Sequence, residues 1–156
     1  MRKIENTAKK RETVKKIKNT EFMHFSSDVA VPPGQEVMIT RRPQVRDFYG
    51  DRIAVPDTIA RWFEIVDVKV GNRSQMPDAS SISAELCGVR LDKRARLSVR
   101  KGELRVSRAA RAAFGLVFPM EPCRMNFDLV ITARMKDTTD PACEAGKVFE
   151  LIILGR

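Results

Sequence analysis

The chain has 156 residues, 43% of them hydrophobic, which suits one domain with a proper core, and 29 Lys and Arg against 20 Asp and Glu leave a net charge of +9. Three cysteines, Cys87, Cys123 and Cys143, are odd in number and widely spaced, so they fit neither a disulfide framework nor a metal knuckle and read as small apolar residues. No uncharged apolar run approaches the ~20 residues of a membrane helix, and no apolar stretch follows the first basic residues as a secretory signal requires.

The positive charge is concentrated at the start. Met1 to Thr20 holds eight Lys or Arg against two Glu, so six of the nine net charges precede the first expected strand. Lys9, Lys10, Arg11, Lys15, Lys16 and Lys18 repel one another unless a polyanion neutralises them, and Ile4, Ala8, Val14 and Ile17 are too sparse for a helical stripe. Residues 1–20 are therefore expected to be a basic arm, flexible or partly helical, on a single domain at 21–156. Such an arm answers to nucleic acid or to an acidic protein surface.

From Glu36 onward, short segments of period two separated by turn residues predict antiparallel strands with one buried face. Glu36–Arg42 and Arg52–Val55 are the first of these. In Trp62–Val70, alternation puts Trp62, Val66, Val68 and Val70 on one side and Phe63, Ile65, Asp67 and Lys69 on the other. The loop that begins at Gly71, with Arg73, ends this strand. Ile82–Arg90 and Phe114–Phe118 are weaker strands, and Arg96–Arg100 with Glu103–Val106 predicts a hairpin through Lys101 and Gly102. Ser107–Gly115 predicts one short helix, capped by its first and last residues. In Arg124–Arg134, Met125, Phe127, Leu129, Ile131 and Ala133 share one face, and Val148–Leu154 closes the chain as a core strand. The expected fold is all-β: an antiparallel sandwich, jelly-roll-like, with one short helix.

Two further stretches are candidates for contact. Arg90–Arg111 carries nine Lys or Arg against Asp92 and Glu103, and its Arg96, Arg100, Arg108 and Arg111 can line a rim for phosphates or a neighbour's carboxylates. A merely solvated face explains the same charges. In Ile39–Pro56, arginines adjoin Phe48 and Tyr49, a composition suited to a subunit interface with Arg41, Arg42, Phe48, Tyr49 and Arg73, or to base stacking. Core packing is the plainer use of most of the aromatics.

Enzyme readings fail for want of groups. The single His24 lies at the edge of the arm, no carboxylate, Cys and His cluster has metal-ligand spacing, and no phosphate or dinucleotide loop occurs. No catalysis, cofactor or metal is expected. A sugar-binding sandwich is weakly supported, because Trp62 and Tyr49 are the only Trp and Tyr.

Phe48-Tyr-Gly-Asp-Arg-Ile-Ala-Val-Pro, Asp67-Val-Lys-Val-Gly-Asn-Arg-Ser-Gln and Phe149-Glu-Leu-Ile-Ile-Leu-Gly resemble segments of small β-sandwich structural proteins of bacteriophage particles. The resemblance implies a non-enzymatic capsid, cement or spike-base component, located in the virion after synthesis in a reducing cytoplasm. It implies self-association as a homo-oligomer, or contact with other virion proteins, with the arm touching nucleic acid or neighbouring subunits and no membrane. The alternative is a nucleic-acid-binding β module that uses its basic clusters.

Overall fold

The computed structural model describes residues 21–77, 80–89, 98–100, 103–105 and 115–155, with 98–100 and 103–105 as backbone only. Two mainly antiparallel sheets pack face to face as a β-sandwich. The first has the order β1 (Glu21–Val31), β14 (Lys147–Gly155), β4 (Gly50–Pro56), β11 (Leu116–Val117), with β8 (Gly88–Val89) running parallel to β4. The second has the order β2 (Glu36–Arg41), β13 (Leu129–Met135), β5 (Phe63–Val70), β6 (Arg73–Ser74), with β7 (Ile82–Ser83) also paired to β5. A two-stranded ribbon of β3 (Asp47–Phe48) and β12 (Cys123–Arg124) lies outside both sheets. A one-turn α-helix, α1 (Asp57–Ala60), joins β4 to β5.

Strict alternation builds the interior. Phe149, Leu151 and Ile153 of β14 face Leu129, Ile131, Ala133 and Met135 of β13, all with at most 1% of their surface exposed. Removing each of the larger of these side chains from water contributes about 1.5–3 kcal/mol. The Phe63 and Phe149 rings join the two sheets at a centroid distance of 5.0 Å. Among the described residues, none that is polar or charged is buried. The outer face of the second sheet is ionic instead: Arg134 on β13 reaches Glu36 on β2 and, at 3.9 Å, Glu64 on β5.

The structure bears out the sandwich and corrects several local expectations. A strand precedes Glu36. Met23, Phe25 and Val31 of β1 are core residues, but Ser26, Ser27 and Asp28 interrupt the alternation that would have revealed them. There the ladder slips between Ser26 and Ala30, Asp28 adopts φ +58°, and the Ser27 hydroxyl accepts the Phe149 N–H at 3.0 Å. In β5 the faces are not those of simple alternation. A bulge at Val66 puts Asp67 opposite Thr132 and Ile65 opposite Ala133, so Phe63, Ile65, Val68 and Val70 all turn inward. Trp62 lies before the strand and is half-buried.

The expected strand Arg124–Arg134 is two strands and a turn. The Phe127 N–H donates to the Arg124 carbonyl at 2.9 Å, which reverses the chain and leaves Met125 and Phe127 exposed rather than inward. Ile82–Arg90 also divides: β7 and β8 flank a 3-10 turn, Ala84–Cys87, that buries Ala84 and Cys87. The hairpin is present as β9 (Ser98–Arg100) paired with β10 (Glu103–Arg105). The expected arm at 1–20 and the helix expected from Ser107 lie outside the described residues, apart from Gly115.

Candidate functional site

Chain direction gathers the functional candidates at one end of the sandwich. β1 runs from Glu21 to Val31, and β2 returns from Glu36 to Arg41. In the first sheet Glu21 pairs with Gly155, and Gly155 with Gly50; in the second Arg41 pairs with Leu129, and Leu129 with Val70. These residues define the Glu21 end, at which residues 1–20 join the domain.

Three loops close that end. The β2–β3 loop approaches the β12–β13 turn through the Met125 N–H, which donates to the Arg46 carbonyl at 3.0 Å. The β5–β6 turn is tied to the same turn by the Gly71 N–H, which donates to the Asp128 carbonyl at 2.8 Å. Gly71 has φ +60°, and a Cβ there would stand 3.8 Å from the Phe127 ring. Glycine thus serves the positive φ of the turn, while a Cβ there would meet the ring only at ordinary contact distance. Beneath the turn the Cys123 thiol reaches the Phe127 carbonyl at 3.7 Å.

The β3–β12 ribbon sorts its side chains by face. Phe48 and Cys123 stand opposite each other and are buried. Arg124 is opposite Asp47 on the outer face, and alternation sends Tyr49 the same way. Phe48 is thus a core residue, with its ring against the Gly155 backbone, and is not presented to a partner as expected. Tyr49 is presented, with 46% of its surface exposed, and the structure adds Phe127 at 45% and Met125 at 56%. Sequence reasoning placed those two in the core, because the turn that expels them has no Gly or Pro to mark it.

Of the arginines expected at an interface, two are neutralised within the chain. Arg42 meets Asp128 at 2.6 Å, a hydrogen bond that holds its guanidinium above its ordinary pKa, and Arg73 lies 3.4 Å from Glu121. Glu121 is in turn fixed by its N–H, which donates to the Gln75 side chain at 2.9 Å. Arg41 is exposed without an ion pair among the described residues. Arg46 and Arg124, which sequence reasoning missed, share that state at the same end. Five arginines, Arg41, Arg42, Arg46, Arg73 and Arg124, therefore share this end with Tyr49, Met125 and Phe127, three of them without an ion pair among the described residues. Lys9, Lys10, Arg11, Lys15, Lys16, Lys18, Arg96, Arg108 and Arg111 lie outside the described residues, and Arg100 is described only as the backbone partner of Glu103.

The three cysteines are free and buried. Burial pushes the Cys87 thiol up to about 11, and burial followed by the Asp128 carboxylate raises Cys123. Raised thiols are poor nucleophiles at neutral pH. Among the described residues no three His, Cys, Asp or Glu side chains come together as metal ligands, and no helix is long and apolar enough to cross a membrane. No protein family, curated protein or solved structure matches this chain.

Proposed function

We propose that this protein is a non-enzymatic structural or assembly protein: a β-sandwich building block that associates with copies of itself or with a larger shell, and whose arm reaches an anionic neighbour. The observation that carries this reading is polarity. The arm, with six of the nine net charges, joins the domain beside Arg41, Arg46 and Arg124, whereas the rest of the chain is close to charge balance. A rigid core with unpaired arginines, among the described residues, at the end where the arm joins suits a component that must face a charged neighbour in a fixed orientation. The resemblance of three segments to bacteriophage structural proteins supports a neighbour in a virus particle, as a capsid, cement or spike-base contact.

The second reading is a nucleic-acid-binding β module, favoured by the exposed Tyr49 and Phe127 among arginines. Light scattering at low and high salt, with absorbance at 260 nm, separates the two. The variant for comparison is the full chain with Lys9, Lys10, Arg11, Lys15, Lys16 and Lys18 changed to Gln. A defined oligomer that persists in high salt and in the variant is the expected result for an assembly protein. A strict monomer at high concentration that carries nucleic acid only at low salt overturns that reading in favour of the module.

A further inference from the structure

We infer that the Glu21 end binds single-stranded nucleic acid, with Arg41, Arg46 and Arg124 holding phosphates and Tyr49 and Phe127 stacking on bases. The inference deepens the proposed function, since it names the anionic neighbour that the reading leaves open.

Charge excludes the simplest competitor, a second copy docked end to end. A two-fold contact through this surface sets each patch against itself. Two sets of Arg41, Arg46 and Arg124, none in an ion pair among the described residues, then face each other; of the local acids, Asp128 and Glu121 are already engaged by Arg42 and Arg73, and Glu21 adds one carboxylate at the start of β1. Asp47, opposite Arg124 on the ribbon, makes no ion pair among the described residues and offsets one charge at most. This end therefore fits an anionic partner of another kind.

The aromatic side chains choose among anions. An acidic protein surface would satisfy the arginines and, like other protein interfaces, can cover aromatic rings, but its carboxylates offer no planar face for the rings to stack on. Nucleic acid uses both, because guanidinium groups grip phosphates while every unpaired base offers a face to an aromatic ring. The backbone that carries the rings is also held in place. Phe127 sits on a turn fixed by its own N–H and by Gly71, and Tyr49 follows a ribbon anchored by the buried Phe48. Backbone fixed in this way loses little entropy on binding. Duplex bases stack on one another and leave no such faces, so the strand must be single.

The test uses full-length protein and fluorescence anisotropy of a labelled 20-nucleotide strand of about that length, with heparin and polyglutamate as non-aromatic polyanions. In Arg41→Gln/Arg46→Gln/Arg124→Gln the slope of log affinity against log salt should fall by about 2, since each lost phosphate contact removes ~0.7. In Tyr49→Ala/Phe127→Ala, affinity for the strand should fall about tenfold or more with heparin binding unchanged. Trp62 fluorescence, from the opposite end of the sandwich, checks that both variants are folded. Wild-type affinity and salt slope in the triple variant would place all binding in the arm and overturn the inference. Polyglutamate bound as tightly as the strand overturns the nucleic-acid assignment in favour of an acidic protein. A defined oligomer that fails these tests leaves the assembly role standing, while a monomer that passes them loses that role and keeps the site.

Discussion

The two ends of the sandwich use the same residue types in opposite ways. At the end away from Glu21, Trp62 is covered by cations of its own chain: the Arg61 guanidinium lies 4.3 Å from the ring centroid and the Lys147 ammonium 5.8 Å. The loops there are locked. The Asp140 carboxylate accepts the Ala142 N–H at 2.9 Å to start a 3-10 turn, and Gly146 presses against the Val31 carbonyl. At the Glu21 end, by contrast, no cation lies over Tyr49 or Phe127 among the described residues, and three arginines make no ion pair among them. One end has its aromatic and cationic needs met internally, whereas the other leaves them open. That difference is what marks a contact surface, more than the number of charges at either end.

Breaking the core should abolish the distinction altogether. Phe149 lies between the sheets against Phe63, so Phe149→Ala is expected to cost about 3–5 kcal/mol, read as a lower urea midpoint. Both ends should lose structure in one cooperative step, seen as coincident transitions in Trp62 fluorescence and far-UV dichroism. A narrower break is available at the Trp62 end. Gly146 has φ +79°, and an added Cβ would stand 2.4 Å from the Val31 carbonyl oxygen. Gly146→Ala should therefore cost about 1–3 kcal/mol by strain, while oligonucleotide affinity below the melting temperature stays at the wild-type value. Loss of affinity in the folded variant would show that the two ends are coupled.

The fold was legible where alternation was unbroken, as in Val148–Leu154 and Glu36–Arg41, since period two states which face is buried. It was illegible at bulges. Val66 shifts the phase of β5 by one residue, and residues 26–28 hide β1, because in each case the extra residues are accommodated by the partner strand and not by a local signal. The site was half legible. Arg41, Tyr49 and Arg73 were in view as an arginine and aromatic cluster, but Arg46, Arg124 and Phe127 join them only through the ribbon pairing and the turn before β13. Whether an arginine is answered depends on distant residues, such as Asp128 for Arg42, and pairing across that separation in sequence leaves no mark in composition.

The buried cysteines make the stability of the fold depend on pH. The Cys87 thiol sits near 11 in the folded chain, above its value of 9.0 when unperturbed. Protonated in the fold and ionised in the unfolded chain, it contributes stability that is complete below pH ~9 and declines as pH rises towards 11. Cys123, raised in the same direction, adds to that decline. A thiol reagent at pH 8 should leave the native protein unmodified and label three cysteines in urea. Cys123 lies directly beneath the turn that carries Phe127, so its labelling in native protein would mean that the Glu21 end opens while the core stays closed.

The smallest expected effect concerns the carboxylate that already answers one arginine. Asp128→Asn removes an exposed ion pair, which changes the urea midpoint less than any substitution above. Its effect on binding should have the opposite sign, because Arg42 then joins Arg41, Arg46 and Arg124 as an unanswered cation at the Glu21 end. A fourth phosphate contact should steepen the salt dependence of oligonucleotide binding by about 0.7 and raise affinity at low salt. A variant that loses affinity would instead show that Asp128 holds the turn and Phe127 in position through its carboxylate, which would make the stacking geometry, and not the charge, the limiting feature of this end.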